Sequence, residues 1–196
     1  KTQFPESLKY LDFEGTITWI PSSTSINTID LTHLVNLERI SGTFASGTYS
    51  NQGVTRTGMP FTSTFAGLTS LKDVSGLTIN SGIETFKDCV NITEMPNVGL
   101  GSQSSTRMFV NTGITQVDLS KISGSGSFAN AFRNCPNLTS VVGSFHDLAA
   151  GANLSGCFAD NPLLTTVGPI FKNQTSKINI DYLFANCNIT SIDNEF

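Results

Sequence analysis

Two histidines, four cysteines and a scatter of carboxylates and serines are the residues of this 196-residue chain that could do covalent or metal chemistry. A nucleophilic Ser or Cys needs a base within hydrogen-bond reach, and the only imidazoles, His33 and His146, stand far apart in the sequence. The same separation leaves no clustered His/Cys ligands for a metal, and none is expected. The elbow motif G-x-S-x-G is absent. The Gly-rich run Ser123–Ser127, SGSGS, lacks the Lys of a phosphate loop and the last Gly of a dinucleotide fingerprint, so it is read as a loop between structural units. Paired carboxylates, as in glycoside hydrolysis, are the catalytic arrangement left open. On balance the chain is read as no enzyme, with no cofactor.

What must position any working residue is set by composition and period. Eleven Lys+Arg against fifteen Asp+Glu give a formal charge of −4 and a pI near 5.0, too few cations to neutralise a phosphate backbone or an anionic lipid surface. Nucleic acid is thus excluded as a partner. Charged residues are only 13%, while 38% hydrophobic residues with fourteen Phe suffice for a core. Abundant Ser, Thr and Asn, with seventeen Gly, suit an extracellular β-rich scaffold. No run of 18 apolar residues exists, so no direct membrane insertion is expected. The sequence begins at Lys1 without a basic-then-apolar leader, and it is expected to be part of a longer protein.

Aligned on Phe, one motif recurs six times, led by Phe65, Phe86, Phe109, Phe132, Phe158 and Phe184, in steps of 21, 23, 23, 26 and 26 residues. Such a period signals a solenoid of the leucine-rich-repeat size class, about 20 to 29 residues. A more divergent copy starts at Leu31, and Leu8, Leu11 and Phe13 repeat the same spacing further upstream. The chain is therefore read as a single domain over 1–196. Within it, 1–45 form divergent N-terminal coils, 46–60 an irregular insertion or diverged coil, and 61–196 six regular repeats.

Each motif position has a physical reason. Two residues after the leading Phe stand Gly67, Asp88, Asn111, Asn134, Asp160 and Asn186, types that accept a positive φ or close a turn. An apolar residue four before the leading Phe, as at Phe61 and Phe128, suggests a short helical or 3₁₀ turn ahead of the bend. Apolar-x-x-apolar steps such as Leu138 to Val141 and Leu164 to Val167 read as short strands. Phe44, Phe145, Phe171 and Phe196 recur beyond that step, so two columns of rings are expected in the core. Cys89, Cys135 and Cys187 share one motif position two repeats apart. Stacking at about 4.8 Å per coil puts them beyond disulfide range, and they are read as small buried apolar groups. Asn36, Asn91, Asn137 and Asn188 precede strands, where an amide is expected to bond the backbone of the next coil. Three of these head sequons, and with those at Asn153 and Asn173 the five are about as many as chance placement gives.

The pattern A-F-x-x-C-x-x-L-x-x-I, present as Ala131, Phe132, Cys135, Leu138 and Val141 and more loosely as Phe86, Cys89, Ile92 and Met95, resembles the BspA-type (Treponema pallidum type) leucine-rich repeats. Phe184, Cys187, Ile189 and Ile192 match one residue short, and Leu68, Thr112 and Asn161 stand where the repeat has Cys. The resemblance spans about residues 60–196 and, more weakly, 1–45. It implies a right-handed, β-dominated α/β solenoid, with a parallel sheet on the concave face and short helical or 3₁₀ turns on the convex one. It also implies a secreted or surface protein of bacteria or some parasites that attaches to host or matrix proteins or to other cells.

Alternate strand side chains point to opposite faces, which places Tyr10 and Asp12, Thr28 and Asp30, Arg39 and Ser41, Asp73, Glu94, Gln116 and Asp118 on the concave face. This row, rich in carboxylates with one Arg, suits a basic or amine-bearing partner or a glycan, with Tyr10 as a stacking platform. The insertion offers a second candidate surface through Tyr49, Asn51 and Arg56. The function expected is a non-catalytic extracellular or cell-surface binding module for adhesion to host or matrix proteins, glycans or other cells. The alternative is a passive spacer in a larger cell-surface or phage receptor-binding protein.

Overall fold

The computed structural model describes residues 4–19, 29–46, 48–51, 54–57, 61–80, 82–100 and 104–193. These form a β-solenoid of about six turns with parallel sheets and almost no helix. Strands β1 (Tyr10–Trp19), β2 (Arg39–Ser46), β5 (Leu77–Asn80), β6 (Asn97–Leu100) and β8 (Ile122–Gly124) make one parallel sheet in that spatial order. A second parallel sheet runs β11 (Ser191–Ile192), β10 (Thr166–Val167), β9 (Ser140–Val142), β7 (Gln116–Asp118). Strands β7 and β8 belong to one coil but to different sheets, separated by a 3₁₀ turn at Leu119–Lys121.

The coil of β7 and β8 thus has two strand positions where the sequence suggested one. The second runs through Leu77–Asn80, Asn97–Leu100 and Ile122–Gly124, so part of the SGSGS run, read as a loop, pairs as strand with β6. Gly124 is needed there. Its φ is +89°, and a Cβ would collide with the Leu100 carbonyl oxygen. At the first position the coil carrying Ile92 and Met95 has no named strand. Pro96 follows directly, and a residue without N–H cannot extend a ladder. The segment suspected of being an irregular insertion contains an antiparallel hairpin of β3 (Thr48–Asn51) and β4 (Val54–Thr57), with Tyr49 opposite Arg56 and Asn51 opposite Val54.

Inside, the leading Phe rings stack face to face. Successive centroids from Phe65 through Phe86, Phe109, Phe132 and Phe158 to Phe184 lie 5.3, 5.4, 5.1, 5.7 and 5.6 Å apart, with planes within 13° of parallel. Five of the six rings are fully buried. The second ring column is discontinuous: Phe145 and Phe171 stack at 6.1 Å, whereas Phe44 meets Phe13 and Phe61 edge-on. Between them Ile79, Val98 and Ile122 follow Phe44 in register, so aliphatic side chains fill the column's middle. Phe196 lies outside the described residues.

Opposite the sheets, the turn side is held by a ladder of its own. Ser63, Phe65 and Gly67 donate their N–H groups to the carbonyls of Ile83, Thr85 and Lys87 in the following coil; Glu84, Phe86 and Asp88 donate in turn to Thr106, Met108 and Val110. The six bend residues expected from their types all have φ between 55° and 75°. A second left-handed position lies four residues earlier, at Ser63, Glu84, Arg107, Asn130, Gly156 and Tyr182. Two left-handed residues per turn interrupt the helical geometry, and this side forms hydrogen-bonded turns instead of the expected short helical or 3₁₀ turns.

Candidate functional site

The parallel register brings two parts of the sequence-selected row into line. Tyr10 lies opposite Arg39, and Arg39 opposite Asp73; further along, Gln116, Ser140, Thr166 and Ser191 align across β7, β9, β10 and β11. Residues about 30 apart in sequence are therefore neighbours on one face.

The densest cluster is built from β1 and β2. Arg39 donates from Nε and one terminal nitrogen to the two oxygens of Asp12, at 3.2 and 2.6 Å, and Ser41 Oγ donates to Asp12 at 2.6 Å. The guanidinium carbon sits 4.9 Å from the centroid of the Tyr10 ring, which is 54% exposed. Hydrogen bonds from Arg39, then from Ser41, hold the Asp12 carboxyl below the usual carboxylate range. One residue along each strand, Glu38 bridges Lys9 at 2.9 Å and Lys72 at 2.7 Å, and the two ammonium groups, Lys72 foremost, bring its carboxyl down to about 2. Three successive coils are thus clasped by charge beside the aromatic ring. The sequence row missed this triad because it followed only the alternate positions; the sign alternation Lys9, Glu38, Lys72 was its signal.

The other row members take different roles. Asp30, Asp73 and Asp118 each accept at Oδ1 from the backbone N–H and the hydroxyl of the residue two positions on: Thr32, Ser75 and Ser120 respectively. Such Asx turns shape the coil, and these carboxylates are committed to their own backbone. Gln116 donates to Ser140 Oγ at 3.0 Å. Glu94 is exposed and has no hydrogen-bond or ion-pair partner among the described residues. Tyr49, Asn51 and Arg56 lie in the β3–β4 hairpin. Thr28 lies outside the described residues.

The cysteines are more than small apolar groups. The Sγ atoms of Cys89, Cys135 and Cys187 donate to the carbonyls of Phe65, Phe109 and Phe158, each the leading Phe of the preceding coil, at 2.9, 3.2 and 3.0 Å. At the same position Asn161 donates to Phe132 and Phe158, and Thr112 to Phe109. A side-chain donor is what Cys, Thr and Asn share, and it explains why they interchange here. Burial pushes the Cys89 thiol up to about 12 and raises those of Cys135, Cys157 and Cys187 as well. Asn36, Asn91 and Asn188 bond backbone carbonyls as expected, but of the preceding coil (Glu6, Thr69 and Pro162), not the next.

His33 Nε2 lies 3.2 Å from the Phe4 carbonyl oxygen and His146 is exposed, coils away. Among the described residues no group of three or more His, Cys, Asp and Glu side chains is placed to hold a metal, and no helix is long and apolar enough to cross a membrane. Comparison with protein-family models, with curated proteins and with solved structures finds no match to this chain.

Proposed function

We propose that this chain is a non-catalytic binding module of the extracellular space or cell surface. It mediates adhesion by docking a host or matrix protein, a glycan or a neighbouring cell on the sheet face of its first three coils. The observation that carries the reading is the preformed Tyr10–Arg39–Asp12–Ser41 cluster, exposed at its rim and fixed by hydrogen bonds between two coils. Tyrosine and arginine are the residue types on which interface energy concentrates, and side chains held in place before contact lose little entropy on binding. The repeat motif supports placing the chain beside BspA-like leucine-rich-repeat surface proteins of bacteria. The experiment is a panel of matrix proteins, glycans and whole cells probed with the chain and with a Tyr10→Ala/Arg39→Ala double variant. Binding that falls about tenfold or more in the variant supports the reading. Binding that is undiminished, or absent from the whole panel, rejects it.

A passive spacer in a larger cell-surface or phage receptor-binding protein is the second reading. It is favoured by the side-chain ties that run from coil to coil along the outside, among them Glu38 to Lys9 and Lys72 and Arg133 to Asp160. A spacer would show no saturable partner anywhere on that panel.

A further inference from the structure

The first left-handed position of each turn projects a side chain at the same place on successive coils: Arg107, then Asn130, then Gly156, then Tyr182. Gly156 interrupts this column, and the gap is a notch of about 420 Å³ between Asn130 and Tyr182. That volume falls within the roughly 300–1,000 Å³ of small-molecule sites. Its lining includes Gly156, Ala159 and Ala185, which carry little or no side chain, and the polar groups of Asn130, Arg133, Asp160 and Asn186.

Three features define what such a notch accepts. Tyr182 is 79% exposed, the most exposed of the large hydrophobic side chains described, and it offers a broad apolar ring with a polar tip. The polar groups beside it are planar amide, carboxylate and guanidinium groups, whose paired atoms match adjacent hydroxyls. The charges cancel within the site: Arg133 Nε donates to Asp160 Oδ2 at 2.6 Å and Asn186 Nδ2 to Asp160 Oδ1 at 2.6 Å. No net field is left to select an ionised ligand. The Tyr182 hydroxyl, the Ser155 hydroxyl and the Asn130 amide nitrogen have no partner among the described residues and remain open to a ligand.

We infer that the notch between Asn130 and Tyr182 is a saccharide site, taking a neutral, hydroxyl-rich sugar ring stacked on Tyr182 and hydrogen-bonded by Asn130, Arg133 and Asn186. It lies on the turn side of the last described coils, away from the Tyr10 cluster. It rests on the reading of the chain as a binding module and names a ligand class for a surface that reading does not use.

The test is an NMR titration of the 196-residue chain with neutral disaccharides (lactose, maltose, cellobiose and chitobiose), with glucuronic acid as the charged control. The expected result is saturable shifts at Tyr182, Asn130 and Asn186 with at least one neutral sugar. Binding should weaken about tenfold or more in Tyr182→Asn, which removes the ring yet suits the left-handed backbone, and stay within about threefold in Tyr182→Trp. Gly156→Asn, which fills the notch and leaves Tyr182 in place, should abolish it and serves if Tyr182→Asn fails to fold. No shift at about 10 mM sugar, undiminished binding in both variants, or preference for glucuronic acid would overturn the inference. The Tyr10→Ala/Arg39→Ala variant should keep its sugar shifts, so failure at the Tyr10 cluster and failure at the notch are told apart.

Discussion

Cys135 Sγ donates to the carbonyl oxygen of Phe109, one coil back, at 3.2 Å, and Thr112 Oγ1 reaches that same carbonyl from its own coil at 3.0 Å. A carbonyl buried at the centre of the ring stack is thereby satisfied by side chains. One such buried hydrogen bond contributes about 0.5–1.5 kcal/mol, and Thr112 alone would keep the carbonyl paired if the thiol were removed. Cys135→Val, which keeps the volume but loses the donor, should therefore be less stable in urea unfolding than Cys135→Thr, by about 1 kcal/mol. Equal stabilities would show that the thiol contributes only bulk.

Thiol accessibility should follow depth. With Cys89 pushed up to about 12 by burial and Cys157 higher still, iodoacetamide at mild alkaline pH should label the partly exposed Cys187 first in the native protein. Cys89, Cys135 and Cys157 should react only on unfolding. Mass spectrometry of labelled peptides reads the order directly.

Truncating a ring in mid-stack should be the most damaging single change. Phe109 is fully buried between Phe86 and Phe132, and Phe109→Ala should cost about 3–5 kcal/mol. Phe171→Ala, at a half-buried ring stacked on Phe145, should cost distinctly less by the same measurement.

The turn column makes a prediction of opposite sign at two sites. Ser63 holds φ +52°, and Ser63→Gly should stabilise by several tenths to about 1 kcal/mol; Asn134, at +55°, tolerates that region, and Asn134→Ala should destabilise by about 1 kcal/mol. Thermal melts of the two variants decide it.

Acid should act first on the clasp around Glu38. Its folded-state pKa of about 2 lies below its ordinary 4.5, so its contribution is complete above about pH 4.5 and is lost as pH falls toward 2. Glu38→Gln should flatten the stability profile in that interval, and added salt should weaken the effect because both lysines are solvent-exposed. An unchanged profile would mean the clasp contributes nothing.

How far the sequence could be read depended on whether a position needs a side-chain type or only a backbone shape. The leading Phe residues and the Gly/Asp/Asn bends were legible because stacking and a positive φ each demand particular residues at a fixed offset. The second left-handed position was not, since Ser, Glu, Arg, Asn, Gly and Tyr share no tendency toward it and the coil-to-coil hydrogen bonds impose it. The Cys column was legible as free, largely buried thiols but not as hydrogen-bond donors, a role that Thr112 and Asn161 also fill and Leu68 at the same position does without. Register aligns Tyr10 with Arg39 and Arg39 with Asp73, yet the Asx turns at Asp30, Asp73 and Asp118 depend on the Thr or Ser two residues later, a pairing that alternation alone does not weigh.

The turn-side ladder has one more consequence. In a β-sheet, consecutive peptide groups point opposite ways and their dipoles nearly cancel. Along this stack the peptide groups joining Ile83 to Glu84, Thr85 to Phe86 and Lys87 to Asp88 all aim N–H forward and C=O back, and the following coils repeat the arrangement. Their dipoles add, as in a helix laid along the axis of the whole molecule. The turn side therefore carries a backbone dipole directed toward Tyr182, while ahead of the first strand position the N–H groups of Lys72, Thr139 and Thr165 point back to Glu38, Thr115 and Thr139, so the two sides of the coil are polarised in opposite senses.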